Sequence, residues 1–242
     1  MAEIMCCSRW LVLTLFLSSF AVAADQSPAQ VVRWSANAAN CNLRQGDDGH
    51  TYYEIKAANV EITLAVDSRE LEKLPHRAMP MLSVLLTFHL SGPGQFAIRP
   101  HAMFLQFVKH RNVTKTSLDP DTMLADLQQN VDDLTYEVEH HELKHHPEEK
   151  QQKEQELQSR LKDYTDMMDF ISTRALRTGL LSPSAPAANG WVFFGIKDRW
   201  IGPLKKPERF VLRIPGGGNS IFEFPFSLPP ESAKVELRRR PE

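Results

Sequence analysis

Residues 84–94 have the sequence VLLTFHLSGPG, in which apolar side chains occupy every second position from Val84 to Leu90. Such alternation is typical of a strand in an antiparallel sheet that packs one face on a core. The run ends at Gly92-Pro93-Gly94, where glycine supplies unusual backbone dihedral angles and proline cannot donate a hydrogen bond to a neighbouring strand. These residues therefore predict a β-strand followed by a turn.

Comparable strand signals lie on both sides of this stretch. Residues 60–66 alternate in the same way, and other β-prone runs occur at 96–98, 103–109, 190–194, 210–214 and 221–226. The glycines at 216–218 predict a hairpin loop and not a phosphate-binding loop, because a strand follows them and no Lys-Ser/Thr pair does. With about eight or nine short strands, the sequence predicts a mainly β protein, an antiparallel β-sandwich.

A helical period replaces the strand period between the two β-rich segments. Asp119 can cap a helix and Pro120 suits its first position, and Gly179 is a natural helix stop. Apolar residues recur at heptad spacing in two stripes, Leu124, Leu127, Val131, Leu134 and Val138, then Leu157, Leu161, Tyr164, Met168 and Ile171. Heptad spacing of this kind is typical of a coiled-coil seam.

If the first residue of one stripe is paired with the last residue of the other, and so on inwards, the midpoint falls next to Pro147. Proline is disfavoured inside a helix by about 3 kcal/mol. We therefore predict an antiparallel α-helical coiled-coil hairpin over residues 120–178. The hairpin is inserted into a β-sandwich domain formed by residues 25–119 and 179–242. One long helix that pairs with another molecule is the alternative.

The predicted hairpin is polar at its tip and apolar at its base. Leu143 is the only aliphatic residue from position 139 to position 156, so we expect the tip to project into solvent. At the base, contact with the sandwich is expected through Met123, Met167, Phe170 and Leu176.

The first 24 residues have the pattern of a secretory signal peptide. Arg9 precedes an apolar run at 10–20, and the small residues at 21–24 provide a cleavage site. The run is too short to span about 30 Å of hydrocarbon, so we expect a periplasmic or secreted mature protein without an integral membrane segment. Cys41 is then the one remaining cysteine, which either packs as a small apolar residue or pairs between chains.

The charge balance argues against a nucleic-acid partner. Lys and Arg number 28 against 30 Asp and Glu, which gives a formal net charge of −2. At 42% hydrophobic and 24% charged residues, the chain has the composition of a globular protein and not of a disordered one.

The motif that most suggests chemistry is His141-Glu142-Leu143-Lys144-His145, which matches H-E-x-x-H. In a helix, His141 and His145 face the same side and can bind zinc, while Glu142 activates a water molecule. A zinc-dependent hydrolase is therefore one candidate. Against it, Pro147 ends the helix shortly afterwards, and the charged neighbours form no wall that excludes water. A solvated helix tip is the alternative.

His140 and His146 extend the motif to a cluster of four histidines. Such a cluster can bind a metal ion without catalysis, or gain charge as the pH falls towards about 6. Glu148 and Glu149 follow it and can supply a third ligand or take part in contacts at the hairpin tip.

Two further groupings are weaker candidates. Cys41 and His50 can be drawn as a nucleophile pair, although their spacing carries little specificity. Trp191, Phe193 and Phe194 either line a ligand groove or pack in the core, and core packing is the more typical role of aromatic residues in a strand.

Residues 82–88, 96–100, 190–194 and 210–212 together resemble the bacterial exported immunoglobulin-like domains of the telokin-like kind. The resemblance implies an immunoglobulin-like sandwich and a location in the cell envelope or outside the cell. It implies no enzymatic activity.

We therefore expect an exported, non-enzymatic protein without a cofactor. Its hairpin, with Leu143, Glu148 and Glu149 at the tip, contacts an unknown protein partner of the cell envelope. A zinc-binding protein or hydrolase that uses His141, Glu142 and His145 is the second hypothesis. A carrier with an aromatic groove between the sheets is the third.

Overall fold

The computed structural model describes residues 29–230, except 58, 78, 111–112, 143–149, 202–203 and 205–206. The strands are β1 (Gln30–Arg33), β2 (Cys41–Gln45), β3 (His50–Ala57), β4 (Val60–Asp67), β5 (Met81–Leu90), β6 (Phe96–Ile98), β7 (Phe104–Phe107), β8 (Val113–Thr116), β9 (Gly179–Leu181), β10 (Ala187–Gly195), β11 (Glu208–Pro215) and β12 (Ser220–Leu228). The helices are α1 (Glu70–Lys73), α2 (Pro120–Glu137) and α3 (Lys150–Arg174), with 3-10 turns at Leu74–His76 and Pro100–Ala102 and a π-helical turn at Val138–Glu142.

Ten of these strands form two five-stranded sheets. Sheet 1 has the order β1-β12-β11-β7-β8, and sheet 2 has the order β10-β5-β4-β3-β2. Neighbouring strands are antiparallel except β1 and β12, which are parallel. The short strands β6 and β9 pair separately. The prediction of a mainly β protein is confirmed.

The two sheets share one apolar core. Phe88 of sheet 2 and Phe224 of sheet 1 are fully buried within it. The rings of Tyr53 and Phe226, which also come from opposite sheets, have centroids 6.3 Å apart. Alternate residues of the central strands β3 and β4 point into this layer, which is the arrangement that the period of two predicts.

A second apolar cluster lies on the outer face of sheet 2, where α2 and α3 cover β5 and β10. Met123, Leu127 and Ile171 of the helices are buried there against Met81 and Phe193 of the strands. This cover explains why residues 190–194 are apolar at nearly every position. Strand β10 has Val192 and Phe194 in the inter-sheet core and Phe193 under the helices.

The helices begin and end close to β10. The Asp119 carboxylate accepts a hydrogen bond from the Thr122 amide at 2.9 Å, so the predicted start of α2 is confirmed. The prediction that Gly179 stops the second helix is wrong. Helix α3 ends at Arg174, because the Leu176 amide donates to the Trp191 carbonyl at 2.8 Å, and Gly179 belongs to β9.

Helices α2 and α3 contact each other along their length in opposite directions. Near the start of α2, Asp121 pairs with Arg177 at 2.6 Å. Near its end, Leu134 and Val138 face Leu157 across a small cavity. Pro147, the predicted fold-back point, lies outside the described residues.

The structure has more strands than the sequence predicts. The additional ones include β1, β2 and β8, which are four or five residues long and largely exposed. Edge strands of this kind bury one face poorly, so their sequences lack a clear apolar alternation.

Candidate functional site

A cavity of about 470 Å³ lies between the outer face of sheet 2 and α3, and we call it the junction cavity. Its walls come from β3, the end of β4, α1, β5, β10 and the second half of α3. Its volume falls in the range of about 300–1,000 Å³ that is typical of small-molecule sites. Charged, polar and aromatic side chains all line it.

The floor of the junction cavity contains a buried ion pair between Glu70 and Arg77. The two terminal guanidinium nitrogens of Arg77, Nη1 and Nη2, donate to the two Glu70 carboxylate oxygens at 2.7 and 2.9 Å. The same carboxylate accepts hydrogen bonds from the amide and hydroxyl of Ser83, at 2.6 and 2.8 Å. Glu70 is only 1% exposed. Because its oxygens are fully engaged, this group fixes α1 on β5 and leaves no free charge for a ligand.

A second internal pair joins Asp67, at the end of β4, to Lys73 of α1. Burial raises the pKa of the Asp67 carboxyl, but hydrogen bonds from the Lys73 ammonium and the Arg69 amide, together with the Lys73 charge, lower it more. The net pKa lies below the usual value of an aspartate. Asp67 is therefore ionised at neutral pH and balances the charge of Lys73.

His50 is the cavity residue with unused hydrogen-bonding capacity. Its Nδ1 atom lies 3.3 Å from a carboxylate oxygen of Asp48, but out of line for a hydrogen bond. Both ring nitrogens are shielded from solvent, and neither has a hydrogen-bond partner among the residues that the structure describes. Buried polar atoms normally have partners, so the Nε2 atom, which has neither a hydrogen bond nor an ion-pair contact within the described residues, is the one open to a ligand.

The outer wall of the junction cavity is aromatic and acidic. The Phe170 ring of α3 has its centroid 5.6 Å from that of Trp191 and 6.2 Å from that of Phe193. Asp163 and Asp166 lie on the same side of α3 and are exposed at the rim. Aromatic faces beside carboxylates form an environment that favours a positive charge.

The structure divides the aromatic residues of β10 between two roles. Phe194 is buried in the inter-sheet core, as expected for aromatic residues in a strand. Trp191 and Phe193 point to the opposite face and line the junction cavity. These two residues can therefore line a ligand site, as their alternative interpretation holds. The site lies between sheet 2 and the helices, and not between the two sheets.

Cys41 and His50 do not form a nucleophile pair. In the ladder of β2 and β3, Cys41 lies opposite Ile55, whereas His50 lies at the other end of β3, opposite Asp67 of β4. Cys41 is a free, half-buried cysteine that packs against the inter-sheet core. This position agrees with its interpretation as a small apolar residue.

Most of the histidine motif lies outside the described residues. His140 is exposed, and its ring centroid lies 4.5 Å from that of Tyr136. The side chains of His141 and Glu142 are not described, nor are residues 143–149, which include Leu143, His145, His146, Glu148 and Glu149. Elsewhere in the described chain, no group of three or more His, Cys, Asp or Glu residues is arranged to hold a metal ion. The zinc site stays a prediction.

A second cavity, of about 520 Å³, opens at the end of the inter-sheet core. Trp34, Tyr53, Phe210 and Phe226 line it. These rings already pack on one another, with Phe210 stacked on Phe226 at 5.1 Å and Trp34 edge-on to Tyr53 at 5.0 Å. We interpret this cavity as the open end of the core.

Comparison of the chain with family models, with curated proteins and with solved structures gives no match. In the part of the chain that the structure describes, no helix is both long and apolar enough to cross a membrane.

Proposed function

We propose that the chain is an exported, non-enzymatic protein that binds a protein partner of the cell envelope through α2 and α3. In this proposal residues 1–24 are a signal peptide. Residues 25–119 and 179–242 form an immunoglobulin-like sandwich of the telokin-like kind, and residues 120–178 are a helical hairpin inserted into it. The packing of two sheets across one core supports the sandwich.

The attachment of the helices to β10 supports the insertion. Before α2, the Leu118 amide donates to the Phe193 carbonyl at 2.8 Å. After α3, the Leu176 amide donates to the Trp191 carbonyl at the same distance. The chain therefore leaves and rejoins the sheet at positions two residues apart on one strand. An insertion needs such close ends, and it can then be added without disturbing the strand order.

The observation that carries the proposed function is the reach of the helices beyond the sheet. Met123, Leu127 and Ile171 are buried against β5 and β10. In contrast, the cavity around Leu134 and Leu157 is lined by residues of the helical segment alone. The distal half of the pair is therefore held by a single seam, and its remaining faces are open to a partner.

The exposed surface of α2 indicates a basic partner. Helix α2 carries five acidic residues and no basic one, whereas α3 carries five of each. Tyr136 is 60% exposed near the end of α2, and exposed tyrosines are enriched among residues that dominate protein interfaces. An acidic surface around an aromatic residue fits a partner with a basic patch and an apolar pocket.

Site-specific cross-linking tests this proposal. A photoreactive phenylalanine analogue at position 136 is expected to give a discrete adduct in cells that naturally express the protein. The same analogue at Leu180, an exposed residue of β9, is expected to give none. In lysate containing about 1 M salt, where the Debye length falls to about 3 Å, the adduct is expected to weaken.

Charge reversal on the two helices supplies the matched comparison. Asp132→Lys/Asp133→Lys on α2 is expected to abolish the adduct, and Glu154→Lys/Glu156→Lys on α3 is expected to retain most of it. Adducts of equal yield from positions 136 and 180, or an adduct that survives the α2 reversal unchanged, would contradict the proposal.

A further inference from the structure

We infer that the junction cavity binds a small organic cation, an alkylammonium group with an adjacent hydrogen-bond donor. This inference goes beyond the proposed function, because it concerns the base of the helix pair and not its projecting half. Charge, aromatic surface and unused hydrogen-bonding capacity in the junction cavity each point to the same class of ligand.

The charges of the cavity favour a cation over an anion. Four carboxylates and two cationic side chains line it. Both cations are engaged internally, since Arg77 is held by Glu70 and Lys73 by Asp67. Asp163 and Asp166 supply the remaining negative charge.

A lysine of α3, Lys162, competes with a ligand cation for these carboxylates, but its own ion pair is exposed to solvent. Lys162 pairs with Asp166 one helical turn away, and its side chain is 72% exposed. Exposed pairs of this kind contribute little free energy. A ligand cation held inside the cavity can therefore replace Lys162 at Asp166 with little loss.

The aromatic wall supplies a second attraction for positive charge. The rings of Trp191 and Phe170 are tilted by 55° to each other, and Phe193 lies edge-on to Phe170. A cation over an aromatic face is attracted by the negative charge of the ring's π system, and tryptophan gives the strongest attraction. Recognition of quaternary ammonium groups by such rings is a common use of this interaction.

His50 explains why we expect the ligand to carry a hydrogen-bond donor next to its cationic centre. Its buried ring nitrogens have no hydrogen-bond partner within the described residues, and its ring centroid lies 6.1 Å from that of Trp191. A neutral imidazole has one nitrogen that accepts a hydrogen bond. A ligand hydroxyl or N–H next to the cationic centre can therefore bind His50 while the cation contacts the rings.

Calorimetric titration of the full chain with choline tests this inference. Choline combines a quaternary ammonium with a hydroxyl group, and 3,3-dimethylbutan-1-ol is its uncharged isostere. We expect saturable choline binding with a Kd of about 1 mM or tighter, and at least tenfold weaker binding of the isostere. Nα-acetyl-lysine amide is titrated in parallel, because a lysine side chain of a protein presents similar chemistry. Tighter binding of choline indicates a free cation as the ligand, and tighter binding of the amide indicates a side chain.

Variants of the cavity locate the binding. Trp191→Leu and Asp163→Asn/Asp166→Asn are each expected to weaken choline binding at least tenfold. Trp200→Leu and Asp169→Asn are the matched controls, since both residues are exposed and neither lines the cavity, and they are expected to leave the Kd unchanged. Melting curves establish that each variant is folded.

Three results would each overturn the inference. One is the absence of saturable binding for both cations, and another is equal affinity for choline and its uncharged isostere. The third is unchanged choline affinity in the folded Trp191→Leu protein.

Discussion

The Gly190→Ala protein is expected to lose at least about 3 kcal/mol of unfolding free energy, which is at or beyond the upper end of the usual cost of overpacking. A Cβ atom at position 190 would lie 2.5 Å from Cα and 2.6 Å from the backbone nitrogen of Leu176. Backbone atoms cannot rotate away as side-chain atoms do. The segment after α3 must therefore move off β10, which breaks the hydrogen bond from the Leu176 amide to the Trp191 carbonyl.

Gly217→Ala is the matched control for this prediction. An added Cβ at Gly217 has no heavy atom within 4 Å, and its backbone does not have the positive φ that disfavours alanine. Urea denaturation of both variants measures the difference. Unfolding free energies within about 1 kcal/mol of each other would contradict the close crossing of the 175–176 segment over β10.

The Arg77→Met protein is expected to lose about 3–5 kcal/mol, the usual cost of removing one partner from a buried ion pair. Methionine keeps much of the volume of the arginine stem but leaves the Glu70 carboxylate buried with only the Ser83 hydrogen bonds. An uncompensated charge of this kind is far more costly than the loss of the pair as a whole. The double variant Glu70→Met/Arg77→Met is therefore expected to be more stable than Arg77→Met.

Arg69→Met provides the control, since Arg69 is the residue immediately before α1. Arg69 pairs with Glu72 at 2.9 Å, but both side chains are largely exposed. Its replacement is expected to change the denaturation midpoint little, since solvent screens such pairs. Equal losses for Arg77→Met and Arg69→Met at neutral pH would show that Glu70 is not held as the structure describes.

The central strands could be predicted from sequence because burial leaves a periodic signal in them. Strands β4 and β5 alternate clearly, and β11 and β12 are rich in buried aromatic and aliphatic residues. The helix start at Asp119 could also be predicted, because its capping hydrogen bond joins residues only three positions apart. The short edge strands could not be predicted, since their sequences do not alternate between apolar and polar residues and their pairing depends on distant parts of the chain.

The junction cavity could be predicted only in part. Trp191 and Phe193 stand out as aromatic residues, but a strand buried on both faces gives no sign of which residue faces the helices. Glu70 lies in a four-residue helix with the sequence ELEK, which has the composition of an exposed turn. Its burial depends on Arg77, which follows the 3-10 turn after α1, and on Ser83 of β5. Contacts between separate elements of this kind leave no periodic pattern in the sequence.

The helix pair adds a second apolar cluster without contributing to the first. Among the described residues between positions 120 and 175, none belongs to the inter-sheet core. The two ends of the pair meet where Asp121 contacts Arg177. We therefore expect sheet 1 and sheet 2 to retain their shared core when the helices are absent, although Met81 and Phe193 lose their cover.

Thermal unfolding of a variant that lacks residues 124–175 tests most directly the claim that the helices are a separable binding element on a self-sufficient β-sandwich. Residues 123 and 176 are joined by a short flexible glycine-serine linker, and circular dichroism follows the β signal. We predict a β-rich spectrum and a cooperative transition at a lower melting temperature than in the full chain. A spectrum of an unfolded chain, or a transition without cooperativity, would contradict the account.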